Sequence, residues 1–261
     1  MRERGDSGMF SKRGQVTIFV IIAVVVVGII AMIYLFVPRA QTGTNFDAQN
    51  PNGFIQNCLE EEIGQTVETI SMRGGSLNPE FYFKFDEVNI EYLCYTNDPI
   101  PALCVPQRPL LQQHIESEVE QDISEEVTSC FNALVENYNG DGYNTNLQTG
   151  RTNVELLPNR IVVNFSDYIL TASKDETERH DSFSVVLNNN LYELVSIAKS
   201  IVEWETTLGE ADVRVYNNNY PHLDVDKNPR DDGTKIYTVT DLNTGDQFQF
   251  ASRSFVFLPG H

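Results

Sequence analysis

Over residues 16–37 every position is apolar except Thr17 and Tyr34, and no charge falls between residues 15 and 37. A helix rises about 1.5 Å per residue, so such a run reaches about 33 Å, enough to cross a hydrocarbon core about 30 Å thick. A cleaved secretory signal has a shorter apolar stretch, about 7–15 residues, followed by small residues at the cut. Here the run ends in Leu35-Phe36-Val37-Pro38. The pattern predicts a transmembrane helix over 15–37. It then vanishes: 38–52 is rich in Pro, Gly, Asn and Gln with no apolar period, and reads as a linker.

Beyond the linker the pattern returns with a different period. Ile55, Cys58, Leu59, Ile63, Val67 and Ile70 recur at three and four residues, an amphipathic helix closed by Gly74-Gly75. The stretch 80–95 reads as strand, with Phe81, Phe83 and Phe85 alternating. A Pro-containing loop leads to a second helix over 110–135. Its marks Leu111, Ile115, Val119, Ile123 and Val127 recur every four residues. That spacing drifts about 40° per step, so the stripe wraps or the helix curves. The cluster 137–146 reads as polar turn.

Strands are predicted at 153–157, 160–172 and 182–187. Asn190 with Glu193 has the form of a capping box before a helix striped by Leu191, Leu194, Val195, Ala198, Ile201 and Val202. The stretches "ADVRVY", "TKIYTVTD" and "DQFQFASRSFVFLP" read as strands, with a hairpin loop closing at Gly245. The expected class is α+β: one N-terminal transmembrane helix, then an extracytoplasmic domain of amphipathic helices on mostly antiparallel strands. The expected segments are a basic leader 1–14, the span 15–37, the linker 38–52, a first lobe 53–137 with the Cys-containing helices, a polar connection 138–152, and a strand-rich second lobe 153–261 with one helix.

Charge sets the orientation. Residues 1–14 carry four basic and two acidic groups, and basic flanks stay on the cytoplasmic side. The expected location is therefore the cell membrane, single-pass, with the N-terminus inside and the C-terminal domain outside. Residues 15–261 carry 14 basic and 35 acidic groups, a net −21. Such a domain repels phosphate backbones, so nucleic acid is not an expected partner. The bilayer itself is, through residues 16–37.

The junction Lys12-Arg13-Gly14-Gln15 precedes the apolar run rather than following it. It resembles the class III signal peptides of archaeal pilin-like proteins. The resemblance covers about 25 residues and implies a cut between Gly14 and Gln15 by a prepilin-type peptidase, leaving the apolar helix on the mature chain. Many pilin-like proteins carry glutamate at the fifth mature residue, where this chain has Phe19; archaeal filament proteins often lack that acid. An uncleaved anchor flanked by basic residues is the alternative. The RGQ start, the Cys-bearing helix ended by Gly-Gly and the "YTVTD", "FQFA" and "VFL" stretches together resemble a group of membrane-anchored archaeal surface proteins. That likeness brings no activity with it.

Four cysteines, Cys58, Cys94, Cys104 and Cys130, all follow the span. An even count in an exported domain reads as disulfides, with three pairings open. Cys94 and Cys104 flank a Pro-containing loop and Cys58 and Cys130 each sit on an amphipathic helix, which favours Cys94–Cys104 with Cys58–Cys130. Buried free thiols are the alternative, and zinc lacks its close Cys pair or added histidines.

Catalytic patterns are few. His114, His180, His222 and His261 make no helical ligand spacing, and no nucleophile elbow or phosphate loop occurs. His180-Asp181-Ser182 has the letters of a triad, but triad members converge from separate segments. Trp204 reads as a helix packing residue. No cofactor is expected beyond one calcium candidate: Asp224, Asp226 and Asn228 repeat the D-x-D-x-N opening of a calcium loop. Pro229 and Lys235 stand where an EF-hand needs Gly and Glu, so any such loop is irregular. Asn164-Phe165-Ser166 is a glycosylation acceptor if Asn164 faces out. The expectation is a structural or interaction protein at the membrane, pilin-like or pilus-associated with other surface or pilus proteins as partners, and not an enzyme. A solitary anchored ligand-binding or sensor domain is the alternative, and an anchored enzyme the third reading.

Overall fold

The computed structural model describes residues 46–98 and 102–255, so the leader, the apolar run and most of the linker lie outside the described residues. Among the described residues no helix is long and apolar enough to cross a membrane. What they form is a mixed α+β fold of five helices and three sheets.

Helix α1, Pro51–Met72, starts where Asn50 accepts the Gly53 N–H at 3.0 Å and Pro51 takes the first turn. Its stripe of Phe54, Ile55, Leu59, Ile63, Val67 and Ile70 is buried. The chain leaves it through Gly74 and Gly75, at φ +84° and +105°. A Cβ on Gly75 would stand 2.9 Å from Leu111 and one on Gly74 2.9 Å from Glu91. Gly74 is therefore required for the close approach to the Glu91 backbone as well as for the turn, and Gly75 for its positive φ.

The main sheet contains β1 (Tyr82–Phe85), β2 (Val88–Tyr95), β3 (Val105–Pro106), β10 (Leu223–Pro229), β11 (Thr234–Asp241) and β12 (Gln247–Arg253). Its order is β1-β2-β12-β11-β10, with β3 on β2. All its pairs are antiparallel except β2 with β12, which run parallel. The single strand expected over 80–95 is thus a hairpin. It turns at Asp86 and Glu87, both at positive φ, and Asp-Glu lacks the Asn-Gly or Asp-Gly signature by which such a turn is recognised.

Two smaller antiparallel sheets follow. One orders β4 (Asn144–Gln148), β7 (Ile169–Ser173) and β8 (Thr177–His180); the other orders β5 (Arg151–Leu157), β6 (Arg160–Ser166) and β9 (Phe183–Asn188). The strand expected over 160–172 breaks at Asp167, φ 66°, which sends β6 and β7 into different sheets. Strand β9 is steadied by α1: Asn52 accepts the Ser184 N–H, and Gln56 bonds both the N–H and the carbonyl of Val186.

The helix expected over 110–135 is two, α2 (Leu111–Asp122) and α3 (Ser124–Gly140), meeting at Ile123. A stripe drifting about 40° per step turns through about 160° between Leu111 and Val127, more than a straight helix can bury against one surface. The junction re-aims the second half, and all five marks are buried. The connection expected at 138–152 does not divide the domain: α3 runs through it to Gly140 and β4 begins at Asn144. Tyr138 is fully buried there, donates to the Ala48 carbonyl and is pushed up to about 12 by that burial. One core runs through both expected lobes, joining Leu59 and Phe131 to Val163, Leu194 and Phe250.

Helix α4, Leu191–Leu208, ends at Gly209 with φ 79°. Its expected capping box is absent: Asn190 turns its amide to Asp241 and Glu193, and Asn189 accepts the Leu191 N–H instead. The stretch read as a strand at 211–216 begins helix α5, Val213–Asn219, because Asp212 caps it through the Arg214 N–H. The Arg214 guanidinium also holds the Asp212 carboxyl down to about 2.

Candidate functional site

The processing residues Gly14 and Gln15 lie outside the described residues. Of the four cysteines, Cys58 on α1 is bonded to Cys130 on α3, and Cys94 on β2 to Cys104 just before β3. The Cα atoms stand 6.0 and 5.4 Å apart, and the sequence separations are 72 and 10 residues. Chain-entropy arithmetic makes these bridges worth about 4 and about 3 kcal/mol. Glu126 brings a carboxylate oxygen within 4.8 Å of both sulfurs of the longer bridge. Those sulfurs are spent on each other, and a metal takes the thiolate.

Asp224, Asp226 and Asn228 do not form the calcium loop that their spacing suggested. They lie on β10, paired with β11 in unbroken register from Leu223–Asp241 to Pro229–Lys235. Leu223 and Val225 turn inward and the two aspartates outward. Side chains two residues apart on a strand leave the same face about 6.6 Å apart, whereas calcium ligands must converge on one point. Alternating oxygens and the polar half of an amphipathic strand are the same pattern in sequence.

Asn164 lies on β6 and faces outward. His180 closes β8, 3.5 Å from Glu178 and from the Tyr138 hydroxyl, while Asp181 pairs with Arg179. The triad letters do not assemble. Trp204 packs, partly buried, against the core.

Among the described residues three carboxylates are buried, Glu91, Glu205 and Asp241, and two of them gather a cation that the sequence reading does not mark. The first is Glu205, fully buried near the end of α4. Its Oε2 accepts from Lys235 Nζ at 2.7 Å and Ser252 Oγ at 2.9 Å, and its Oε1 from the Tyr237 hydroxyl at 2.5 Å and the Ala211 N–H at 3.2 Å. Lys235 also donates to the Gly209 carbonyl, and Ser254 Oγ to the carbonyl of Glu205 itself. Burial first, and then the Glu205 charge, push the Tyr237 hydroxyl far above its usual range, so it stays a donor. A signal was present: Glu205 continues the stripe Leu194, Ala198, Ile201, and an acid on an apolar stripe implies a buried cation.

The second is Glu91 on β2, also buried. Arg108 Nη2 and Nε reach its Oε1 at 2.6 and 2.7 Å, and Ser76 Oγ donates to its Oε2 at 2.5 Å. His114 Nε2 lies 2.7 Å from the same Ser76 oxygen. A serine nucleophile gives its proton to histidine and faces substrate. Here the proton points to Glu91 and Ser76 is buried, so the group ties the Gly-Gly turn, β2 and α2 together. Nothing in the local sequence joins residues 76, 91, 108 and 114.

Two hollows flank these elements. A cleft of about 330 Å³ separates α1 at Glu68 and Ser71 from the start of α4 and from the β11–β12 turn at Asp246. A smaller groove of about 240 Å³ lies between Pro106, Arg108 and Pro109 on one side and Lys199, Val202 and Thr206 of α4 on the other. Comparison with models of known families, with curated proteins and with solved structures found no match for this chain.

Proposed function

We propose that this chain is a membrane-anchored extracytoplasmic structural or interaction protein, held by residues 16–37 and pilin-like or pilus-associated. The observation that carries the reading is the pair of disulfides in the domain that follows the apolar run. Such bridges persist in oxidising compartments and are rare where thiols are kept reduced. The basic leader, the uncharged span and the bridged domain thus point to one orientation, N-terminus inside and domain outside. The net −21 after residue 14 suits a solvated surface and no nucleic-acid partner. A structural role rather than catalysis is supported by Ser76, whose proton is committed to Glu91, and by Glu205, whose oxygens are all committed.

In this proposal a prepilin-type peptidase cuts after Gly14 and the retained helix is an anchor. Assembly with other surface or pilus proteins then falls to the domain, because lipid gives a Val- and Ile-rich helix little reason to pair. The second reading, a solitary anchored binding or sensor domain, is favoured by the cleft beside Glu68 and Asp246, which has room for a small polar ligand. One preparation tests both. Protein from its own membrane should begin at Gln15 and be recovered with sheared filaments or with other surface proteins. An intact 1–14 segment rules out the processing, and a monomer free of partners in mild detergent transfers the assignment to the solitary domain.

A further inference from the structure

Asn164-Phe165-Ser166 is the single Asn-x-Ser/Thr acceptor in the chain, and β6 places it in an unusual setting. β6 is the central strand of its sheet, paired with β5 and β9 on its two sides. Its period of two sends Ile161, Val163 and Phe165 into the core and Asn164 and Ser166 outward. The Phe165 ring stands 5.3 Å from Phe131 and 5.6 Å from Tyr168, so a one-residue slip that hid Asn164 would expose it.

The outer face is cleared around the amide. Directly opposite Asn164 stand Asn153 on β5 and Ser184 on β9, both short. The Asn153 amide is drawn away to Glu155 at 2.9 Å. Among the described residues neither the Asn164 amide nor the Ser166 hydroxyl has a hydrogen-bond partner. They border an open hollow of about 370 Å³ with polar walls. Next to it on the same face Val162 pairs with Val186, which is 42 % exposed, a short apolar strip.

We propose that Asn164 carries an N-linked glycan that lies along this face and covers the Val162–Val186 strip. The inference rests on the export proposed above, since the donor is a lipid-phosphate-linked oligosaccharide on the outer side of the membrane. Asn164 Nδ2 forms a bond to the anomeric carbon of the first sugar, and the bond from that carbon to the phosphate oxygen breaks. The phosphate leaves with the electron pair, Nδ2 loses a proton, and nothing is oxidised or reduced. The setting also dates the transfer. A transferase must hold the acceptor as a free segment, and in the finished sheet Phe165 is buried and β6 is paired on both edges. Transfer therefore precedes closure of β5-β6-β9, while the chain emerges.

Trypsin cuts after Arg160 and Lys174, so the acceptor falls in peptide 161–174. Mass spectrometry of the full chain from its own membranes should find this peptide carrying an oligosaccharide. Both Asn164→Gln and Ser166→Ala should return it to its plain mass, with the domain still folded because both side chains face out. The disulfide peptides of the same digest separate this proposal from the one beneath it. A plain 161–174 peptide beside intact Cys58–Cys130 and Cys94–Cys104 bridges overturns the glycan and leaves export standing. A plain peptide beside four reduced thiols overturns both.

Discussion

Helix α1 is tied to α3 by a covalent bond between Cys58 and Cys130, whereas α4 is tied to the main sheet by Glu205 and its ring of donors. The first junction acts mainly on the unfolded chain, whose conformations it restricts. The second exists only in the folded chain. Every donor must be in place, because a buried carboxylate with a missing partner costs more than the pair contributes. It is the shorter bridge, Cys94–Cys104, that touches the Glu205 ring: the Cys104 sulfur lies 4.0 Å from Ser252 Oγ and its N–H donates to Ser254 Oγ. The contrast separates a junction that depends on compartment from one that depends on completeness.

The sharpest way to break the comparison is at the glutamate. Glu205→Leu leaves the Lys235 ammonium and two hydroxyls buried, and should destabilise the oxidised domain by about 3–5 kcal/mol in urea unfolding. Adding Lys235→Met should recover much of that loss, since removing both charges spares the orphan. A loss under about 1 kcal/mol for the single variant would mean that water reaches the ring. Next comes Cys58→Ala with Cys130→Ala, expected to cost about 4 kcal/mol, with reduction of the wild-type protein, which opens both bridges, costing more. Cys94→Ala with Cys104→Ala should cost about 3 kcal/mol. Here a double-mutant cycle with Ser252→Ala sharpens the picture: the contact predicts coupling, while the longer bridge should add to Ser252→Ala independently.

The smallest effect belongs to Asp241. Burial alone would raise its carboxyl, but the N–H groups of Asn243 and Thr244 and the Asn190 amide outweigh it and hold the group below its ordinary value. A depressed folded value means that the contribution is complete above the unfolded value near 4 and is lost as pH falls through the folded one. Asp241→Asn should cost about 1–2 kcal/mol at neutral pH and flatten the acid limb of the stability curve below about pH 4. An unchanged acid limb would assign that limb to other carboxylates.

How far each junction was legible follows from its physics. Cysteine pairing could be reasoned because the amphipathic stripes announced the helices under Cys58 and Cys130, and a short Pro-containing loop brought Cys94 to Cys104. The helix stripes of α1 and α4 and the hairpin at Gly245 were readable for the same reason, as their signals are local. The Glu205 ring was not, since Lys235, Tyr237 and Ser252 come from two strands whose pairing no local pattern states. The parallel contact of β2 with β12 spans most of the domain and carries no turn to mark it. At 211–216 the alternating valines mask the Asp212 cap, and at 223–229 alternating aspartates suit a loop converging on a cation as well as the outer face of a strand, which is what they form.

The central claim is that a bridged domain stands outside the membrane on the anchor of residues 16–37. Its most direct test is the thiol state in the living cell. Cells are quenched in acid, free thiols blocked under denaturing conditions, and the full chain mapped without reduction. The account predicts Cys58–Cys130 and Cys94–Cys104 as the linked peptides and no blocked cysteine. Four blocked thiols on the native protein would contradict it, placing the domain in a reducing compartment and leaving Glu205, rather than the bridges, to hold the fold.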